Sequence, residues 1–252
     1  MLEATERKAI ARQPSQTERQ PTDWQLPVSL RPDMSESLKK TLVEETESPR
    51  WRDAWKHTRF RRLAIGGLLL CAFLLSIWPW YLGRIEARHG ILLDDVVLRM
   101  IPARDVSLLV FISLWGAALL LIYRVQRHPM IYLNFIWSYA LLFITRIISI
   151  GLTPLEPPVG LIELRDPLSN YFYGAKFITK DLFFSGHTAS ICLMAFCLIR
   201  PLDRWLVFVG TFIVGCGVLI QRVHYTADVV AAPFFAYATY WLAQRITRNA
   251  LS

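Results

Sequence analysis

The sequence predicts an all-α polytopic membrane protein, a bundle of about six transmembrane helices. Three observations predict it. Of the 252 residues, 54% are hydrophobic, whereas soluble domains lie nearer about 45–50% apolar. Nearly all of that apolar content follows residue 62, in separate runs close to spanning length. The arginines cluster in alternate connections between the runs, the asymmetry expected when basic loops stay on one side of a membrane.

Residues 1–62 are polar and charged and read as a mobile N-terminal cytoplasmic extension. Residues 1–50 hold Gln, Thr, Ser, Glu and Pro without a sustained apolar period, so they bury too little surface to offset ordering entropy. A short helix near Met34–Glu47 is the exception expected there. The first apolar run starts near residue 63, too late for a cleaved signal peptide, and suits an internal signal-anchor.

That run, Leu63–Leu82, is uncharged and ends in Trp78, Trp80 and Tyr81, an interfacial aromatic belt. Val106–Tyr123 is the second run, and Met130–Gly151 the third, with Arg146 near its end. Three shorter runs follow at Gly186–Ile199, Trp205–Ile220 and Val229–Ala243, which reach spanning length only with polar residues included. The membrane domain therefore covers residues 63–245, and residues 246–252 form a cytoplasmic tail. Arg50, Arg52, Lys56, Arg59, Arg61, Arg62, Arg124, Arg127, Arg200, Arg204, Arg245 and Arg248 all fall on one side of such a bundle. That side should be cytoplasmic, with both termini on it.

The net charge of +8 fits an anionic membrane surface, because the basic residues flank apolar runs; no nucleic-acid partner is expected. Cys71, Cys192, Cys197 and Cys216 sit inside apolar runs without zinc or disulfide spacing and read as small hydrophobes. His57, His89 and His128 read as interfacial residues.

Two clusters carry chemistry. One runs from Lys180 and Asp181 to Ser185, Gly186, His187 and Thr188; the other runs from Arg222 through His224 and Tyr225 to Asp228. His187 opens the fourth run and His224 closes the fifth, so one antiparallel hairpin returns both to the face opposite the arginine-rich side. Asp228 lies four residues beyond His224. On a helix it would share that face, accept the imidazole Nδ1–H and leave Nε2 free as a nucleophile. Arg222, Lys180 and Arg146 are placed to neutralise a phosphate. Two histidines and an aspartate could also hold a metal, but the adjacent cations favour an anion.

These residues resemble the sphingomyelin synthase-like branch of the type-2 phosphatidic acid phosphatase superfamily. Asp181–Thr188 looks like the branch's third motif and His224–Val229 like its fourth. Arg146 through Gly160, with Thr153, Pro154, Pro157 and Pro158, is similar to the second; Pro102–Asp105 is a weaker echo of the first. The resemblance spans about residues 60–245. The wider superfamily's Lys-x6-Arg-Pro motif is missing, and Cys216, Gly217 and Val218 stand where it has a Ser-Arg pair. Arg222, two residues before His224, resembles inositol-phosphoceramide synthases more than animal sphingomyelin synthases.

The resemblance implies a six-helix bundle of that type and a lipid phosphotransferase. His224 would be the nucleophile, His187 the acid and then the base, and Asp228 the support of His224. Arg222, Lys180, Arg146, Ser185, Gly186, Asp181 and Tyr225 would line the phosphate and substrate site. It implies a phospholipid donor, a ceramide or diacylglycerol-like acceptor, and no metal or other cofactor. The site would face the exoplasm or periplasm. A lipid phosphatase with water as acceptor is the nearest alternative, and a non-catalytic lipid-binding membrane protein is another; a possible homo-oligomer is left open. The loop at Leu152–Phe184, with Tyr171, Phe172, Tyr173 and Phe177, reads as a cover over the headgroup.

Overall fold

The computed structural model describes residues 50–164 and 178–251. The chain divides into two units, Met1–Glu47 and Ser48–Ser252. The first lies outside the described residues, as do the expected mobile tail, the Met34–Glu47 helix and the aromatic residues 171–173 and 177.

The described part of the second unit is helical apart from an isolated β-bridge between Ile91 and Leu155. Its helices are α1 (Trp51–Ala54), α2 (Thr58–Glu86), α3 (Val96–Met100), α4 (Ser107–Val125), α5 (Pro129–Leu152), α6 (Gly186–Cys197), α7 (Pro201–Ile220) and α8 (Thr226–Thr247). Each of the six expected apolar runs falls on one of the long helices or α6, with Val106 just before α4 and Leu198 and Ile199 just after α6. Among the described residues, α2, α4, α5 and α7 are long and apolar enough to cross a membrane. The other two differ for separate reasons. α6 has only 12 residues. α8 has 22, but Thr226, Asp228, Thr239, Gln244 and Arg245 dilute its apolar character.

The position of α6 explains its length. No residue of it is exposed, and it packs against α4, α5, α7 and α8. A helix apolar all round is a core helix. Surrounded by protein, it need not match the bilayer thickness, because its ends can be satisfied by neighbouring chain. The outer helices carry the opposite signature. Leu69 and Phe73 on α2, Leu108 and Leu119 on α4, Phe212 on α7 and Phe234 on α8 are large, apolar and exposed, a surface suited to lipid.

Residues 51–62 hold α1 and the first turn of α2. They pack onto the bundle through Trp51, Ala54 and Phe60, against Leu133 and Ala250. The Trp51 indole donates to the Val125 carbonyl at 2.9 Å. At this end Arg124 donates to Asp203 through Nε at 2.6 Å and Nη2 at 3.2 Å, both groups buried. His128 is also buried here, 4% exposed, as the residue preceding α5. The turn joining α4 to α5 folds its side chain inward, against protein. His89 is exposed and His57 half-buried.

At the opposite end lie the C-termini of α2, α5 and α7 and the N-termini of α4, α6 and α8. The Arg88 guanidinium caps α5 there, donating to the carbonyls of Ile150, Gly151 and Thr153 at 2.5, 3.1 and 3.1 Å. A cation at a helix C-terminus satisfies orphan carbonyls and complements the helix dipole.

Candidate active site

The site is built from the ends of α6, α7 and α8. α7 ends at Ile220, and a short turn through Arg222 leads into α8. Arg222 has φ 56, the left-handed region that non-glycine residues adopt at a cost of about 1–2 kcal/mol. Its side chain explains why the turn holds. Nη1 donates to the Val159 carbonyl at 3.0 Å, and Nη2 to those of Leu98 and Ile101 at 3.3 and 3.2 Å. Arg222 thus binds the turn to two other segments. Two residues before His224, it has no carboxylate partner among the described residues.

His224 and Asp228 meet as expected. Nδ1 lies 3.4 Å from the Asp228 Oδ2, with His224 2% and Asp228 0% exposed. Oδ2 also accepts the Tyr225 amide at 3.0 Å, so the carboxylate caps the start of α8. This leaves Nε2 as the imidazole nitrogen that faces away from the carboxylate. The second oxygen, Oδ1, is buried with no hydrogen-bond partner among the described residues.

His187 sits in the first turn of α6. The Ser185 side chain caps that turn, accepting from the Thr188 amide at 3.4 Å. The Ser185 amide donates to the Asp228 carbonyl at 3.1 Å. This bond joins the start of α6 to the start of α8 and so brings the two histidine-bearing turns to one place. The His187 ring stands edge-on to Phe111 of α4, 6.2 Å between centroids.

The remaining predicted residues bind neighbouring segments together. Tyr225 is buried; its hydroxyl donates to the Glu156 carbonyl at 2.9 Å and accepts the Leu93 amide at 3.2 Å. Lys180 donates to Glu156 at 2.9 Å and to the Arg88 carbonyl at 2.5 Å. Arg146 donates to the Phe184 carbonyl at 2.8 Å and pairs with Asp181. Gly186 lies against that guanidinium: a Cβ there would stand 2.0 Å from Arg146 Nη1. Among the described residues, no group of three or more His, Cys, Asp or Glu side chains has metal-holding geometry.

Residues 180–245 match the family described as PAP2 superfamily C-terminal. The match supports the type-2 phosphatidic acid phosphatase superfamily, whose chemistry is lipid phosphate hydrolysis or phosphoryl transfer. It covers the segment holding His187, His224 and Asp228. No solved structure matches the chain.

Two groups escaped the sequence reading. Asp95 caps α3 through the Val97 and Leu98 amides at 3.0 and 3.2 Å, and also accepts the Thr226 amide at 2.7 Å and hydroxyl at 3.0 Å. Burial opposes its charge, but the bonds from Thr226, Leu98 and Val97 outweigh that and hold its carboxyl below the usual value. An Asp immediately before an apolar stretch was the available signal. Glu156, inside the proline-rich turn, accepts from Lys180 and from the Gly90 amide at 2.8 Å. These bonds, that from Lys180 first, hold its carboxyl below the ordinary range. Gly90 is needed because the Leu155 carbonyl carbon would lie 2.5 Å from any Cβ there. Glu156 thus ties the two described ends of the Leu152–Phe184 connection to each other and to Gly90, while Asp95 ties α3 to the start of α8.

Proposed function

We propose that the chain is a lipid phosphotransferase that moves a phosphoryl headgroup from a phospholipid to ceramide or a similar lipid alcohol through a phosphohistidine. The observation that carries the reading is the buried His224–Asp228 pair, joined through Ser185 to the turn that holds His187. His224 Nε2 attacks the phosphorus, and the bond to the diacylglycerol oxygen breaks. His187 gives that oxygen a proton. His187 then takes the proton of the acceptor hydroxyl, whose oxygen attacks phosphorus; the P–N bond breaks and its electron pair returns to His224. One group acting as acid and then base follows from the symmetry of the two half-reactions.

Asp228 supports the charge that His224 gains on phosphorylation. The positive charge of Arg222, with the first-turn amides of α6, favours the anionic phosphate at this end. Lys180 and Tyr225 fix the segments around these turns, and the resemblance assigns Ser185, Gly186 and Asp181 to the substrate site. The arginine distribution supports a site on the exoplasmic or periplasmic face with both termini cytoplasmic.

Phosphatase action is the second reading, favoured by the superfamily match itself. Both share the phosphohistidine and differ in the hydroxyl that reaches it; a transferase must keep water out and hold a lipid alcohol near. The test gives purified protein a phospholipid with and without ceramide or diacylglycerol. The proposal expects new phospholipid to form faster than soluble headgroup phosphate is released, and expects His224→Ala to abolish both turnover and any acid-labile phosphoenzyme. Phosphate released from phosphatidic acid at a rate indifferent to acceptor lipid establishes the phosphatase instead. Full activity in His224→Ala overturns both.

A further inference from the structure

We propose that Arg146 is a positioning residue that sets His187 in place, and not a ligand of the substrate phosphate. The inference rests on the reading that His187 transfers protons in the reaction. Arg146 lies on α5 and is 5% exposed. Its Nη1 is given to the Phe184 carbonyl and its Nη2 to Asp181. Its guanidinium carbon stands 5.8 Å from the ring centroids of both Trp78 and Phe184. The donors are therefore turned to the chain entering α6.

The same helix makes a second contact one residue earlier in that segment. The Ser149 hydroxyl donates to the Phe183 carbonyl at 2.9 Å. Two consecutive carbonyls, those of Phe183 and Phe184, are thus registered on α5, while the next residue, Ser185, is registered on α8 through Asp228. His187 follows two residues later. Gly186 completes the fit. A methyl group there would fall 2.0 Å from Nη1 and 2.5 Å from the guanidinium carbon. The missing side chain of Gly186 is the space Arg146 occupies, so these two residues are one device. A misplacement of about 1 Å in a group that moves a proton can cost on the order of 10²-fold in rate.

The test is a mutant cycle between Gly186→Ala and Arg146→Lys, with kcat and KM for phospholipid measured separately. Lysine keeps a charge beside Asp181 and lacks the Nη1 that a methyl at 186 would meet at 2.0 Å; its unbranched ammonium can turn away from the Cζ position, 2.5 Å from that methyl. Expected are a fall in kcat of roughly 10²-fold for Gly186→Ala and roughly tenfold for Arg146→Lys, with KM within about twofold of wild type. The double variant is expected to be more active than Gly186→Ala alone, and to melt at a higher temperature. A phosphate ligand behaves otherwise: Arg146→Lys raises KM, and the double variant is worse than either single one. Either result overturns the proposal. If Gly186→Ala does not fold, Arg146→Lys and Asp181→Asn decide by themselves, since positioning lowers kcat in both and phosphate binding raises KM for Arg146→Lys. His224→Ala is run alongside. Wild-type turnover in that variant removes the phosphohistidine reading, whereas its loss together with a raised KM in Arg146→Lys removes only this inference.

Discussion

His224 and Asp228 are hidden from solvent together, with Nδ1 3.4 Å from a carboxylate oxygen that also accepts the Tyr225 amide at 3.0 Å. One oxygen therefore serves both the imidazole and the start of α8. Asp228→Asn keeps an oxygen for the cap and removes the charge. It should lower activity by roughly 10²–10⁴-fold, as loss of an orienting carboxylate does in catalytic triads, with little change in melting temperature. Asp228→Ala should lose the cap as well, at a further cost of about 1 kcal/mol in stability. Steady-state rates and thermal melts of the two variants check this.

The carboxyls of Glu156 and Asp95 are both held below their usual values. A depressed carboxyl stabilises the fold above its unfolded-state value, and that contribution disappears as pH falls through the lower, folded one. Stability should hold through neutral pH and decline on the acid side of the ordinary carboxylate range. In Glu156→Gln and Asp95→Asn the acid-side slope should be shallower. Melting temperature against pH for the three proteins is the measurement; equal slopes would show that these contacts are not the source.

The Arg124–Asp203 pair is buried at the end away from the histidines. Removing one partner leaves a buried charge, which costs about 3–5 kcal/mol. Asp203→Ala should melt well below wild type, while kcat per folded molecule at low temperature stays unchanged. A lowered kcat at full folding would tie this end to the chemistry.

Sidedness can be read with an impermeant thiol reagent on a Cys216→Ser background, since the other native cysteines are buried. Val159 is exposed beside Arg222 at the site end, and Lys56 is exposed near the Trp51 end. Val159→Cys should label in intact cells, and Lys56→Cys only after permeabilisation. The reverse pattern refutes the proposed orientation.

Much of this was legible in the chain because it depends on local order. Apolar runs of helical length located the long helices, and His-x3-Asp read as one helical turn put a carboxylate under an imidazole. The basic residues could be counted, but their partners could not. Lys180 is engaged by Glu156, 24 positions away, and Arg146 by Asp181, 35 away, and no local pattern encodes such pairings. The central place of α6 was also out of reach. Its short apolar stretch reads alike as a weak membrane span or a core helix, and only the four helices around it show that it lies at the centre of the bundle. By itself the sequence determined on which helix ends His187, His224 and Asp228 stand, because periodicity and charge act over a few residues. The tertiary structure decided which partners Lys180 and Arg146 take, and it joined the two histidine turns through Ser185 and Asp228, because those contacts form only when distant segments pack.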